Sequence, residues 1–87
     1  MYSLIFGKTF FSSIKKLDKG LKIKTDKQLK LLQQNPFHPK LHSKYLHGKL
    51  DNSYSFRVVK DYRVVFRFMQ NRIIQLLTIK HRKEVYK

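Results

Sequence analysis

The fold is decided by residues Tyr45–Tyr86, which read YLHGKLDNSYSFRVVKDYRVVFRFMQNRIIQLLTIKHRKEVY. Three runs in this stretch are rich in β-branched and aromatic residues and are joined by short connections, which predicts three successive antiparallel strands. They are Tyr54–Val58, Tyr62–Phe68 and Ile73–Ile79. Apolar and basic residues alternate in the first two runs, so the predicted sheet has one apolar face and one cationic face. The third run is apolar on both faces, which is typical of an interior strand.

The connection between the first two strands determines which residues face each other. A two-residue turn at residues 60–61 would place Phe56 on the cationic face, whereas a three-residue loop at residues 59–61 keeps it on the apolar face. Misplacing large apolar side chains costs ~1.5–3 kcal/mol each, which outweighs any preference among turn types. We therefore predict the three-residue loop. The predicted pairs are Val58 with Tyr62, Phe56 with Val64 and Arg57 with Arg63.

This register brings like charges together on the cationic face. Facing arginines destabilise a strand pair by roughly 0.2–1 kcal/mol, and Arg67 adds a third basic residue to the same face. An anion such as phosphate between the arginines would account for the arrangement, and a solvated basic face is the simpler alternative. The basic tail Lys80–Lys87 begins where the third strand ends, so we expect it to curl over this face.

The residues before this stretch predict one strand and two helices. Tyr2–Phe6 is a short β-prone run, and Lys8–Leu17 carries apolar residues at helical spacing, with Thr9 as a cap near its start. A turn over residues 18–20 follows. Gly20 is well placed there for the left-handed conformation that ends many helices.

The second helix is predicted over Leu21–Gln34 and ends at Asn35-Pro36, because proline disfavours helical geometry in the residue before it. Thr25 and Gln28 match a capping box, which would move the start beyond Leu21. The predicted order is therefore β-α-α-β-β-β. This is an α+β, two-layer fold in which an N-terminal helical hairpin packs on one face of a largely antiparallel sheet. A length of 87 residues allows one domain, residues 1–87.

Net charge is the strongest functional signal in the composition. Twenty Lys and Arg residues face five Asp and Glu residues, which gives +15 at pH 7. The positive charges repel one another, and so large an excess indicates a polyanionic or acidic partner. A solubilising surface is the simpler alternative. The chain has no cysteine, no signal-peptide pattern and no apolar run near the ~20 residues that span a bilayer. We expect a cytoplasmic protein with no membrane partner.

The titratable residues favour one kind of chemistry. The four histidines have few carboxylates near them in the sequence, so we expect neither a metal site nor a cofactor. Arginine, lysine, histidine and tyrosine on one surface suit metal-free cleavage of RNA. Arginine neutralises phosphate oxygens, the other three exchange protons, and the RNA supplies its 2′-OH as nucleophile. Aromatic residues beside the cationic face can stack an unpaired base.

Four short segments, taken in order, connect the chain to a known family. They are Leu46-His47-Gly48, Tyr54–Val58, Asp61–Phe66 and His81–Tyr86. With these segments and this order of elements, the chain resembles the RelE/ParE toxin superfamily of toxin–antitoxin modules, and specifically the RelE-type mRNA interferases.

The resemblance implies a toxin of a type II toxin–antitoxin system that cuts mRNA on the ribosome by attack of the 2′-OH. Its implied partners are an antitoxin, usually acidic, that wraps the basic surface, and the mRNA and rRNA of the ribosome. One alternative is a ParE-like inhibitor of DNA gyrase without nuclease activity. Another is a relative that only binds RNA or antitoxin.

Matching positions imply the site residues. The implied catalytic residues are Arg57, Arg63, His81, Arg82 and Tyr86. The basic position before the aromatic residue falls on Lys80, His81 or Arg82, depending on the relative. Ser55 stands where some relatives carry a catalytic lysine, so the resemblance does not identify the general base. His81 or Tyr86 could take the role of that lysine. Further contacts with RNA are expected from basic residues around this site: Lys44, Lys49, Lys60, Arg67, Lys80 and Lys83.

Overall fold

The chain folds into helices packed on a mixed five-stranded sheet in a computed structural model that describes residues 1–48 and 52–86. The elements are β1 (Ser3–Phe6), α1 (Lys8–Lys15), α2 (Lys19–Gln34), a 3-10 turn (Pro39–Leu41), β2 (Lys44–Tyr45), β3 (Ser53–Val59), β4 (Tyr62–Met69), β5 (Ile73–His81) and α3 (Arg82–Val85). The predicted α+β fold class is confirmed. Lys49, predicted to contact RNA, lies outside the described residues. No helix in the described ranges is long and apolar enough to cross a membrane.

The strand order in the sheet is β1-β5-β4-β3-β2. β1 runs parallel to β5, with Ser3 opposite Ile73 and Phe6 opposite Leu76. The other neighbouring strands are antiparallel. Because β5 lies between β1 and β4, the prediction that its apolar run forms an interior strand is confirmed.

One face of the sheet carries the main core. α1 packs against β5 and α2 against β3, as predicted for the helical hairpin. The strand residues of the core point toward these helices and are almost completely buried. The core is built from Phe10, Leu29, Leu32, Leu41, Phe56, Val58, Val64, Phe66, Ile74, Leu76 and Ile79. We call the opposite face, which carries the arginines, the outer face.

The β3–β4 connection combines the two-residue turn of one alternative with the strand register of the other. The pairs of Phe56 with Val64 and Arg57 with Arg63 are confirmed, but Tyr62 pairs with Val59 and the register shifts between Arg57 and Val59. The turn therefore contains only Lys60 and Asp61, and the predicted three-residue loop is wrong. Val58 is the extra residue of a β-bulge, which lets a short turn coexist with the register that buries the apolar side chains.

The helix starts differ from the sequence-based expectations. α1 begins after Gly7, and no side chain caps it, so the predicted cap Thr9 is wrong. α2 begins earlier than predicted because the Asp18 side chain accepts a hydrogen bond from Leu21 N (2.8 Å). Carboxylates are among the strongest N-caps. Gly20 lies in the first turn of this helix, so its predicted role as a left-handed terminator is also wrong.

The predicted capping box in α2 is wrong as well. Thr25 and Gln28 are both buried in the interior of the helix. Thr25 Oγ1 donates a hydrogen bond to the carbonyl of Leu21 (2.8 Å). Gln28 Nε2 donates to the carbonyls of Lys40 (3.1 Å) and Arg57 (2.8 Å). Gln28 therefore connects α2 to the 3-10 turn and to β3.

Candidate functional site

A row of three basic residues crosses the outer face of the sheet. Arg57 of β3 lies opposite Arg63 of β4, and Arg63 lies opposite Lys80 of β5. The alternation of side chains along each strand puts all three on the same face. We call these three residues the cationic row. The next row along the strands consists of Lys44, Ser55, Val65 and Thr78.

α3 folds across this second row. β5 ends at His81, and the chain turns over the outer face at once, as expected for the basic tail. Val85 of α3 packs in a small apolar cluster with Leu46, Val65 and Leu77. This cluster fixes the tail to the sheet, and it is separate from the main core.

Tyr86 lies beside the cationic row. Its hydroxyl is 2.9 Å from the hydroxyl of Ser55, and Lys44 Nζ lies 5.3 Å from the centre of its ring. Arg57 follows Ser55 by two residues on the same face of β3, a separation of roughly 7 Å along the strand. Because Arg57 is exposed and Tyr86 is 44% exposed, an anion at this point can reach both groups.

Arg63 occupies a different environment from Arg57. Its side chain is buried, with 7% of the residue exposed. Its Nη1 donates to the carbonyls of Val59 (2.9 Å), Lys60 (2.8 Å) and Tyr62 (3.1 Å). Arg63 thus holds the β3–β4 turn, while its charge still adds to the positive potential of the cationic row, because carbonyl groups are dipoles and do not neutralise it.

Arg82 is also tied to that turn. Its backbone N–H donates to the carbonyl of Asp61 (2.7 Å), and its Nε lies 3.5 Å from Asp61 Oδ1. Both side chains are about half exposed, so the ion pair is worth little in free energy. The two contacts place the start of α3 against the end of the sheet that carries the cationic row.

The remaining predicted RNA contacts are spread over the outer face. Lys44 joins the Tyr86 group, and Lys80 is part of the cationic row. Lys60 is exposed in the β3–β4 turn, and Lys83 is exposed on α3. Arg67 is half-buried, and its Nε donates to Gln75 Oε1 (2.8 Å). It lies on the opposite side of the Val65–Val85 contact from Arg63, so it does not belong to the same cluster.

His81 is held as the N-cap of α3. Its Nδ1 accepts a hydrogen bond from the backbone N–H of Lys83 (3.2 Å), and its ring meets Tyr62 edge to face at 5.7 Å. A neutral imidazole that accepts at Nδ1 carries its proton on Nε2. The capped ring therefore offers a donor, and not a base, to a bound substrate.

Sequence reasoning missed two features that shape the site. The bulge at Val58 interrupts the ladder beside Arg57, and Gln28 bonds the Arg57 carbonyl there. The available signal was the position of Gln28 on the apolar side of α2, at helical spacing from Leu21, Leu31 and Leu32. The second feature is Ser53, whose Oγ is the one buried side-chain polar atom without a hydrogen-bond partner in the described residues. Ser53 lines a cavity of about 180 Å³ together with Glu84 and Val85 of α3.

Comparisons with known proteins found one matching family model and several similar folds. Residues 4–86 match the family model described as ParE toxin of the type II toxin–antitoxin system parDE. None of the curated protein sequences matches the chain.

Several solved structures share the fold. The RelE of the archaeal RelE–RelB complex from Pyrococcus horikoshii OT3 is 22% identical, with a TM-score of 0.77 over 93% of this chain and 94% of that one. YoeB from Staphylococcus aureus, solved as a dimer, is 23% identical, with a TM-score of 0.76 over 91% and 94%. YafQ from Escherichia coli is 13% identical, with a TM-score of 0.79 over the full length of both chains.

Proposed function

Since the chain belongs to the ParE toxin family of type II toxin–antitoxin systems, within the RelE/ParE superfamily, we propose that this toxin is a ribosome-dependent endoribonuclease. One observation carries the proposal: Tyr86 is held on Ser55 directly beside the exposed Arg57 of the cationic row. A proton-exchanging hydroxyl and a phosphate-binding guanidinium lie together on a surface that a single RNA strand can reach.

The proposed reaction needs only the RNA, water and the side chains of this site. The 2′-OH attacks the adjacent phosphorus, the bond to the 5′ oxygen breaks, and the products are a 2′,3′-cyclic phosphate and a 5′-OH. Arg57 neutralises the charge that builds up on the non-bridging oxygens, and Arg63 and Lys80 add to the field from the same row. Tyr86, as its phenolate, takes the proton of the 2′-OH. The leaving 5′ oxygen takes its proton from water, and the Nε2–H of the capped His81 donates a hydrogen bond to that oxygen.

The test is mRNA cleavage on programmed ribosomes, followed by primer extension. Arg57→Ala is expected to reduce the rate by ~10²–10³-fold through lost charge stabilisation. Tyr86→Phe is expected to reduce it by ~10²–10⁴-fold through lost proton transfer. Lys22→Ala, which removes an equal charge from the exposed side of α2, is the matched control and should cleave at the wild-type rate. Wild-type protein that leaves mRNA intact, or variants that cleave as well as the control, would overturn the proposal.

The second candidate is inhibition of DNA gyrase, because the matching family model is that of the ParE toxins. A gyrase supercoiling assay separates the two functions. Inhibition of supercoiling together with intact mRNA on the ribosome would favour this candidate over the nuclease.

We further propose an acidic antitoxin as the partner of the basic surface. The charge of +15 supports this, and the P. horikoshii relative was solved in complex with RelB. Such a complex is expected to weaken as salt rises, since exposed charges more than ~8 Å apart are largely screened at physiological ionic strength.

A further inference from the structure

A buried glutamine of the helix layer holds the backbone of Arg57. Gln28 of α2 is 8% exposed, and its Nε2 donates to the carbonyls of Arg57 (2.8 Å) and Lys40 (3.1 Å). A side-chain amide nitrogen carries two hydrogens, and each of them has an acceptor here. We infer that Gln28 is a positioning residue that aims the Arg57 guanidinium at the phosphate that is cut. The inference rests on the proposed function, because it concerns the same site.

The direction of the Arg57 carbonyl explains why it needs a side-chain donor. The backbone N–H of Leu46 donates to the carbonyl of Ser53, so that carbonyl points toward β2. Carbonyl directions alternate along an antiparallel strand, and Arg57, four residues further on, directs its carbonyl to the same side. The pairing of β2 with β3 extends only as far as Ser55. The Gln28 amide therefore takes the place of a neighbouring strand at this point.

On its other side, Arg57 lies next to the β-bulge. The register between β3 and β4 shifts between Arg57 and Val59. Because the Arg57 carbonyl points away from β4, the facing Arg57 and Arg63 form a non-hydrogen-bonded pair of the ladder, in which side chains lie closest. Their like charges repel each other, and a bulge lets a strand bend and a side chain change direction. The hydrogen bond from Gln28 opposes this displacement of Arg57.

Gln28 is itself held firmly. The helix α2 packs against β3, and Lys40 belongs to the 3-10 turn, whose Leu41 is fully buried. The orientation of the Arg57 carbonyl sets the backbone angle ψ of this residue, and with it the course of the strand that carries the guanidinium. A misplacement of about 1 Å can reduce a catalysed rate by ~10²-fold. Gln28 thus acts on the reaction through Arg57, from the buried side of the sheet.

The experiment is a double-mutant cycle, measured as binding of a short single-stranded RNA whose sugars are all 2′-O-methylated, so that it cannot be cleaved by 2′-OH attack. Gln28→Met keeps an unbranched side chain without an N–H donor, and it should bind about tenfold more weakly than wild type. In the Arg57→Ala background, the same substitution should change the affinity by less than about twofold, because the group that Gln28 positions is gone. Thr25→Val removes another buried hydrogen bond of α2 and is the matched control, which should bind like wild type.

Cleavage on programmed ribosomes is the second measurement. Gln28→Met should lower the rate by ~10²-fold relative to Thr25→Val, with no further loss when it is combined with Arg57→Ala. Thermal unfolding identifies the variants that are folded at the assay temperature, and Gln28→Leu replaces Gln28→Met if the latter is not.

Three results would overturn the inference: RNA binding by Gln28→Met equal to that of wild type, additive losses in the binding cycle, or no RNA binding by wild type. The two proposals can fail separately. Coupled binding losses without any cleavage by wild type would remove only the nuclease, whereas cleavage by wild type with additive binding losses would remove only the positioning role of Gln28.

Discussion

Two residues of the outer face show what the alternation of side chains along a strand leaves undetermined. Arg63 faces Arg57 across the sheet, yet its Nη1 bonds three carbonyls of the β3–β4 turn. Ser53, a buried residue on the same face, has an unpaired hydroxyl. Alternation in the sequence identifies the face on which each residue lies, but not the direction of the carbonyls or the partners of a hydroxyl.

Arg63→Ala should destabilise the protein, because hydrogen bonds to charged groups are worth about 1.5–3 kcal/mol and the turn would lose its donors. We expect a free energy of unfolding lower by roughly 2–3 kcal/mol, measured by urea denaturation. Arg57→Ala, which removes the exposed arginine of the same row, should change it by less than ~0.5 kcal/mol. Equal stability of the two variants would contradict the structural role of Arg63.

Ser53→Ala should stabilise the protein. A buried polar group without a partner costs about 1–3 kcal/mol, and alanine removes that group without a large change in volume. Denaturant midpoints should rise for Ser53→Ala and should not rise for Ser55→Ala, whose hydroxyl is bonded to Tyr86. A lower midpoint for Ser53→Ala would show that its hydroxyl has a partner in solution.

At the scale of elements, α3 depends on three contacts with the rest of the fold. It has four residues, far fewer than the ~12–15 that an isolated helix needs to be even marginally stable in water. The His81 cap, the Arg82 contacts with Asp61 and the packing of Val85 hold it on the sheet. The position of Tyr86 over Ser55 follows from these three contacts.

Substitutions at His81 separate its cap from its chemistry. Asparagine is an efficient N-cap, whereas alanine costs about 1 kcal/mol. We expect His81→Asn to match the wild-type free energy of unfolding and His81→Ala to fall below it. Cleavage on ribosomes should drop for both, because neither side chain carries the imidazole Nε2–H that contacts the leaving oxygen. If His81→Asn cleaves like wild type, the histidine acts only as a cap.

The elements also show how far the sequence could be interpreted. The alternation of apolar and basic residues predicted β3, β4 and β5. It also predicted the facing pair Arg57–Arg63, because only one register of these strands buries the aromatic side chains. It could not locate the bulge at Val58, since a bulge preserves the pattern on both sides of itself. It misplaced the start of α2, because Asp18 also suits a turn before the helix and Thr25 with Gln28 matches a capping box inside it. The place of Tyr86 on Ser55 was out of reach, since it depends on packing across the sheet.

For the whole molecule, charge opposes compactness. The net charge is +15, and both ion pairs found in the described residues, Lys30–Asp26 and Arg82–Asp61, are exposed and therefore weak. Repulsion among the cations is thus the larger electrostatic effect on the stability of the free protein.

Salt should therefore stabilise the isolated chain. Between low ionic strength and 1 M salt, the screening length falls from roughly 30 Å to 3 Å, and repulsion between cations on different elements is lost first. The midpoint of thermal unfolding should rise with sodium chloride. A midpoint that falls with salt would mean that attractive pairs dominate.

The parallel pairing of β1 with β5 determines when the sheet of this protein can close during its synthesis. Residues 3–6 have no strand neighbour until residues 73–76 have been made, and Lys80 of the cationic row belongs to that same late strand. Contacts so distant in sequence form late and slowly. A nascent chain that has not reached β5 has neither a closed sheet nor a complete cationic row, so the proposed nuclease site is incomplete until the last strand has been made.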